Sequence, residues 1–189
     1  MNRTPLLLLI GVFFSANALA QAPKYSNEFL SISVGARGLA MSKAQVASVN
    51  DLTSAYWNPA GLVEIKDNLQ VGAQHAEYFA GIAKYDYGAV AINTDRKSGM
   101  AFSFLRFGVD DIPNTTDLID QNGRVNYDRI TSFSAADYAF LFSYARQLGP
   151  EGLSVGGNAK VIYRQVGDMA NAWGFGLDVG AQYKLNDWR

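Results

Sequence analysis

The feature that most constrains the fold is a strict alternation in residues 173–184, which read WGFGLDVGAQYK. Side chains of a β-strand point to opposite faces in turn, so a period of two predicts a strand with two unlike faces. Its length fits a tilted strand that crosses a membrane, which needs about 9 to 11 residues. One face is apolar with aromatic residues at both ends: Trp173, Phe175, Leu177, Val179, Ala181 and Tyr183. The other face is small or polar: Gly174, Gly176, Asp178, Gly180, Gln182 and Lys184.

Five further segments of similar length are predicted to be strands. Most of them alternate, although residues 82–92 have a mixed phase and residues 100–107 are apolar on both faces. Aromatic residues make up 13% of the chain and charged residues only 17%, a mixture that suits strands better than a helical bundle. The sequence therefore predicts an all-β protein with six strands, at residues 69–79, 82–92, 100–107, 137–146, 153–164 and 173–184.

The connections favour an antiparallel up-and-down transmembrane β-barrel over a soluble β-sandwich. Strands of a sandwich also alternate, but strands in globular proteins usually run only about 5 to 6 residues. Short turns are predicted at residues 93–99 and 149–152, and longer loops at residues 108–133 and 165–172. Barrels of the outer membrane have short periplasmic turns and longer outer loops, so this alternation is expected of them. A soluble secreted β-sandwich remains the alternative.

The N-terminus has the pattern of a cleaved signal peptide at residues 1–20. Arg3 provides a positive start, residues 6–14 are apolar, and Ala18, Leu19 and Ala20 fit the cleavage pattern. The apolar run is too short for a membrane-spanning helix, which needs about 20 residues. The chain is therefore predicted to be exported, with an N-terminal hatch or plug at residues 21–68 and a partial barrel at residues 69–189.

Composition makes catalysis an unpromising hypothesis. The chain has no cysteine, so thiolate nucleophiles, thiolate metal sites and disulfides are excluded. The single histidine, His75, could act as a catalytic base only beside a nucleophile, and the sequence has no Gly-x-Ser-x-Gly motif to supply one. Residues 117–128 do not have the ligand spacing of an EF-hand and are better interpreted as a turn at Asn122 and Gly123. No catalytic residue, metal or cofactor is predicted. The net charge of −1 gives no reason to expect a nucleic-acid partner.

Residues 54–61, SAYWNPAG, interrupt a segment rich in small residues. Asn58 precedes a proline and is therefore expected to leave the helical region. Gly61 is expected to allow a left-handed turn, and Tyr56 and Trp57 to anchor the segment with their polar edges. Weak helical character is predicted for residues 39–49.

These motifs, in this order, resemble those of a known family. FLSISVGARGLAM at residues 29–41, SAYWNPAGL at residues 54–62 and RFGVDDIPNT at residues 106–115 are similar to the corresponding parts of the PorV/PorQ proteins. That family belongs to the wider group of FadL-like outer-membrane proteins. The similarity covers nearly all of the chain after the predicted signal peptide and is strongest to the PorV type found in Bacteroidota.

The resemblance implies a function and two sets of site residues. FadL relatives are closed barrels with an N-terminal hatch that pass hydrophobic molecules across the outer membrane. PorV-like proteins act in type IX secretion, where they hold the C-terminal signal domain of exported cargo and dock on the translocon. The hatch motif corresponds to Trp57, Asn58, Pro59, Ala60 and Gly61. An acidic outer-loop motif, implied to contact partners, corresponds to Asp110, Asp111, Ile112 and Pro113.

The expected function is therefore that of a non-catalytic carrier or docking component of type IX secretion in the outer membrane of a Gram-negative bacterium. A FadL-like channel for hydrophobic small molecules is the alternative. The expected partners are outer-membrane lipid, the cargo C-terminal domains, and the translocon or attachment components of type IX secretion.

Six strands are fewer than a closed membrane barrel requires. The smallest such barrels have about eight strands, and unpaired backbone groups in lipid cost several kcal/mol each. The relatives are also about twice as long. The chain is therefore expected to be a truncated product or the N-terminal part of a longer reading frame, with closure by oligomerisation as the alternative. The genomic sequence downstream of Arg189 would test this expectation.

Overall fold

The computed structural model describes residues 27–120, 122–149 and 152–184. Within them the chain forms one six-stranded antiparallel sheet in which each strand pairs with the next in sequence. This confirms the predicted all-β class, the six strands and the up-and-down order. The sheet is open, because β1 and β6 each pair on one side only within the described residues. The predicted signal peptide lies outside these residues. The strands are β1 Leu69–Tyr78, β2 Ala83–Asp95, β3 Ser98–Asn114, β4 Thr131–Leu148, β5 Leu153–Val166 and β6 Ala170–Tyr183.

Two loops are shorter than predicted. The β3–β4 loop covers residues 115–130 rather than 108–133, because a bulge after Val109 lets the two strands pair again from Ile112 with Phe133. Asp111 in this bulge has φ 57°, a left-handed conformation that bends the strand without ending it. The β5–β6 loop has only three residues, 167–169, so the predicted long loop at residues 165–172 was wrong.

Residues 27–68 form a covering segment that lies across one face of the sheet, here called the inner face. The segment contains two short α-helices, α1 Ala36–Ala40 and α2 Ser54–Trp57, and the 3-10 helices Glu28–Ser31 and Pro59–Glu64. The predicted helical character of residues 39–49 was largely wrong. The helix α1 ends at Ala40, because Ser42 and Lys43 have φ of 51° and 71°, which L-residues rarely adopt inside a helix.

The main core lies between the covering segment and the inner face of β2–β5. Phe29 and Val34 of the segment pack in one buried cluster with side chains of the sheet: Tyr85, Tyr87, Ala89, Leu105, Ala139, Leu141 and Ile162. This burial explains the mixed phase of residues 82–92 in the sequence. The inner face of β2 is as apolar as its outer face, because the covering segment excludes water from it.

The opposite, outer face is apolar over three rows of residues, and no described residue covers these rows. Leu177 and Val179 are 82% and 91% exposed. Three successive rows of directly paired residues carry no charged side chain across all six strands. These rows are Ala73–Gly88–Phe104–Phe140–Val161–Phe175, Val71–Val90–Phe102–Phe142–Ala159–Leu177 and Leu69–Ile92–Met100–Tyr144–Gly157–Val179.

None of the helices in the described part of the chain has the length and apolar character needed to cross a membrane.

Candidate functional site

The SAYWNPAG stretch forms the point at which the covering segment crosses the sheet. The helix α2 ends at Trp57, and the next residue, Asn58, has an extended φ of −162° and ψ of 106°, as the following proline predicts. Pro59 then begins a 3-10 helix, where its missing N–H costs nothing. The Asn58 Oδ1 atom accepts a hydrogen bond from the Ala60 N–H at 3.1 Å, which caps this helix.

Residues 58–65 cross the strands along a row of small side chains. The row joins directly paired positions of β3 to β6: Gly99, Ala145, Gly156 and Gly180. A Cβ atom on Gly156 would lie 2.7 Å from the backbone nitrogen of Ala60, which is too close for any side chain. Such an atom on Gly180 would collide with Asn58 Oδ1. The row is therefore a shallow groove that only glycine and alanine can form.

Two asparagines fix the crossing segment at either end of this groove. At β6, Asn58 Nδ2 donates to the carbonyl of Ala181 at 3.2 Å and to that of Val46 at 3.0 Å. At β2, Asn93 Nδ2 donates to the carbonyl of Ile65 at 2.7 Å. Asn58 is buried, so its removal would leave backbone groups without partners.

Two aromatic residues tie the segment to its own N-terminal part, as expected from the sequence. The Tyr56 hydroxyl donates to the carbonyl of Leu30 at 2.5 Å, and the Trp57 Nε1–H donates to that of Val34 at 3.0 Å. The two rings meet edge to face with centroids 5.0 Å apart. Burial raises the pKa of the Tyr56 phenol to about 12.

Gly61 serves close packing rather than a left-handed turn. It lies within the 3-10 helix Pro59–Glu64 and is not one of the described glycines with positive φ. A Cβ atom there would lie 2.5 Å from the carbonyl oxygen of Val49. The expected left-handed turn was therefore wrong, although the need for glycine was real.

A polar cluster lies beside this crossing on the inner face of β5 and β6. Lys160 Nζ is 2.6 Å from Asp178 Oδ2, and Asn158 Nδ2 donates to the carbonyl of Ala55 at 2.8 Å. A cleft between the covering segment and the sheet is lined by these side chains together with Trp57. Asn158, Lys160 and Asp178 all lie on the inner face, and Asp178 belongs to the small or polar face of the alternation that predicts β6.

The acidic motif is not in a loop. Asp110, Asp111, Ile112 and Pro113 all belong to β3, at and just after its bulge. Asp110 forms ion pairs with Lys84 at 3.0 Å and with Arg106 at 3.2 Å, on the outer face.

His75 also lies among charged neighbours rather than beside a nucleophile. Its Nδ1 is 2.6 Å from Asp86 Oδ1, and its Nε2 is 3.5 Å from Glu77 Oε1. The described part of the chain holds no cluster of three histidine, aspartate or glutamate side chains suited to a metal ion. What the geometry provides here is a set of ion pairs at one end of the strands.

Sequence reasoning missed the small-residue groove. Its members lie in four different strands, and only the register brings them into one row. The available signal was glycine inside predicted strands, which often marks a close approach of another backbone.

No protein-family model matches the chain, and no curated protein matches it. The assignment to the PorV/PorQ family therefore remains a prediction from the motifs.

Proposed function

We propose that the chain is an outer-membrane β-barrel protein of the PorV type, acting as a non-catalytic carrier or docking component of type IX secretion. The observation that carries the proposal is the contrast between the two faces of the sheet. An antiparallel sheet with one face in water normally places polar residues there. Here the uncovered face holds three uninterrupted apolar rows, over roughly 24 Å by 14 Å of backbone. Hydrocarbon of a bilayer is the environment that suits this face.

The next row of the outer face toward the β3–β4 loop supports a membrane boundary. It runs across all six strands and changes from charged to aromatic: His75, Asp86, Arg106, Tyr138, Tyr163 and Trp173. On β5 and β6 the rings of Tyr163 and Trp173 pack with centroids 4.6 Å apart. Aromatic residues with one polar edge are enriched where membrane barrels meet the head groups. We place the outer water–lipid boundary at this row.

In this proposal the covering segment is the hatch of the barrel. Its hydrogen bonds and its fit into the glycine groove fix it to the wall, as a permanent plug requires. The lumen wall beside it carries ion pairs, Lys160 with Asp178 and Arg164 with Asp137. A charged wall favours a carrier over a channel for hydrophobic molecules, because contact between an apolar solute and charged side chains is not favourable.

Closure of the barrel requires partners for the free edges of β1 and β6. Unpaired strand edges in lipid leave backbone N–H and C=O groups without hydrogen bonds. The proposal therefore includes further strands, from a longer chain or from other copies, that pair with these edges.

The experiment is a paired assay in cells that carry type IX secretion. Epitope-tagged protein is recovered from Sarkosyl-insoluble outer membrane and tested for retention of a cargo C-terminal domain. The same cells are tested for uptake of a labelled long-chain fatty acid. The proposal expects cargo retention without a change in uptake. Uptake without cargo retention would contradict the carrier role, and carbonate-extractable protein would contradict the membrane location.

A further inference from the structure

The β3–β4 loop, described at residues 115–120 and 122–130 and here called the arm, has defined structure rather than being a loose connection. Within the described residues, Asp120 and Arg124 are joined by a backbone hydrogen bond of 2.9 Å, and Leu118 and Asn126 by one of 2.8 Å. Ile119 and Val125 form a β-bridge between these pairs. The arm is therefore a small hairpin that projects from the sheet.

Side-chain caps hold each bend of this arm. Asn114 Oδ1 accepts from the Thr116 N–H, Asp120 Oδ1 from the Arg124 N–H, and Asn126 Oδ1 from the Asp128 N–H. Such bonds fix the backbone before any partner arrives. A surface ordered in this way loses little conformational entropy on binding.

The arm presents large apolar side chains to solvent. Ile119 is 64% exposed, Val125 53% and Tyr127 73%. They lie beyond the row that we place at the membrane boundary, because β3 and β4 continue past that row before the arm begins. Lipid therefore does not account for their exposure.

The same end of the molecule carries an excess of negative charge. Its described residues include five basic side chains: Lys84, Arg106, Arg124, Arg129 and Arg164. They include nine acidic ones: Glu77, Asp86, Asp110, Asp111, Asp117, Asp120, Asp128, Asp137 and Asp168. At the opposite end, bases outnumber acids in the described part of the chain, with Lys66, Arg96, Lys97, Arg146 and Lys184 against Glu64, Asp67 and Asp95.

We propose that this arm is the docking surface for a folded protein domain whose contact face is apolar and basic. Ile119, Val125 and Tyr127 provide the apolar contact, and Asp117 and Asp128 on the same arm attract the basic side chains. This inference rests on the proposed carrier function and assigns its partner contact to the arm, in place of the motif at Asp110, which is bound within β3. Acidic surroundings would also speed association with a basic partner.

The test measures binding of a purified cargo C-terminal signal domain to the full chain in outer-membrane vesicles. The double variant V125S/Y127S is expected to weaken binding at least about tenfold, since a few central apolar residues dominate most interfaces. A single substitution in the arm, I119S, is compared with a matched control outside it, L39S. Ile119 and Leu39 contain the same atoms, but Leu39 lies on the covering segment. I119S is expected to weaken binding and L39S to leave it within about twofold of the native value.

The charge contribution is tested separately. D117N/D128N is expected to weaken binding several-fold at low salt and to lose most of the salt dependence that the native chain shows, because charges on an exposed arm are screened. A salt-independent native interaction would contradict the electrostatic part of the inference.

The failures are distinguishable. If the native chain binds no cargo domain, the carrier function and the inference both fail. If it binds and V125S/Y127S binds equally well, the carrier function stands and the inference is overturned. If V125S/Y127S keeps cargo binding but lowers association with protein-free lipid vesicles, the arm contacts lipid and the inference is again overturned.

Discussion

The two faces of β6 show how one strand meets two different environments. On the inner face, Gly180 has no side chain because the Asn58 side chain occupies that space. On the outer face, the neighbouring Val179 is 91% exposed, and no part of the described chain covers it. The inner face thus specifies the position of another segment through close backbone contact. The outer face specifies only an apolar environment, with no particular partner.

This difference predicts different responses to substitution. Inner-face changes should depend on size, because the groove and the segment fit at van der Waals distance. Outer-face changes should depend on polarity, because any apolar side chain suits a lipid surface.

The largest effect is expected for a charge on the outer face. L177R should destabilise the membrane-inserted protein by about 4 kcal/mol, because arginine near the bilayer midplane is costly and an apolar side chain is lost. L177M is the control and should change stability by less than about 1 kcal/mol. The measurement is urea unfolding in lipid vesicles. Equal stability of the two variants would contradict a lipid-facing Leu177.

A side chain in the groove should release the covering segment. G180V places a Cβ atom against Asn58 and Pro59, an overpacking that we expect to cost about 3 kcal/mol. Trypsin cleavage within residues 27–68 should then be about a hundredfold faster, since each 1.4 kcal/mol is about tenfold. G176V provides the control on the same face, because its nearest side-chain atoms are 3.8 Å away. Equal cleavage rates in both variants would show that the groove does not hold the segment.

Loss of the Asn58 amide should have a smaller effect of the same kind. N58A removes hydrogen bonds to Ala60, Val46 and Ala181 and leaves buried groups unpaired, at about 2 kcal/mol. We expect trypsin cleavage to accelerate by about thirtyfold. N171A, at an exposed position near the start of β6, should cleave at the native rate. A native rate for N58A as well would mean that the proline turn alone positions the segment.

The smallest effect is a loss of stability at alkaline pH. The pKa of Tyr56 is about 12 in the folded protein, against 10.0 when it is exposed. Folding therefore favours the protonated phenol, and its contribution is complete below about pH 10 and lost between about pH 10 and 12. The native chain should lose about 1 to 2 kcal/mol more than Y56F over this interval. If the urea midpoint changes by the same amount from pH 9 to pH 11 in the native chain and in Y56F, the buried phenol is contradicted.

Much of the sheet could be predicted from sequence because its signal is local. The alternation in residues 173–184 gives the phase of β6 correctly, and the side chains of Leu177 and Asp178 lie on the expected faces. The C-terminal part of β3 was not predicted as a strand, because Asp110, Asp111 and Pro113 are residue types typical of loops. Pairing with β4 and the ion pairs of Asp110 outweigh that local preference.

The site was less accessible to sequence reasoning, because it depends on distant pairs. Asn58 and Pro59 were recognised as a break in the helix, since a proline restricts its neighbour wherever it occurs. Their docking place was not, because Gly156 and Gly180 become adjacent only through the register of β5 and β6. The asparagine bond to Ala181 joins residues that are 123 positions apart.

The central claim is that the outer face of the sheet contacts lipid while the inner face does not. The chain contains no cysteine, so single cysteines introduced along residues 174–179, between the boundary row and the groove, can be labelled without background. In outer-membrane vesicles, spin labels at odd positions should be accessible to oxygen and protected from a water-soluble nickel reagent. Labels at even positions should show the reverse. Equal access of the nickel reagent to both sets would contradict the claim.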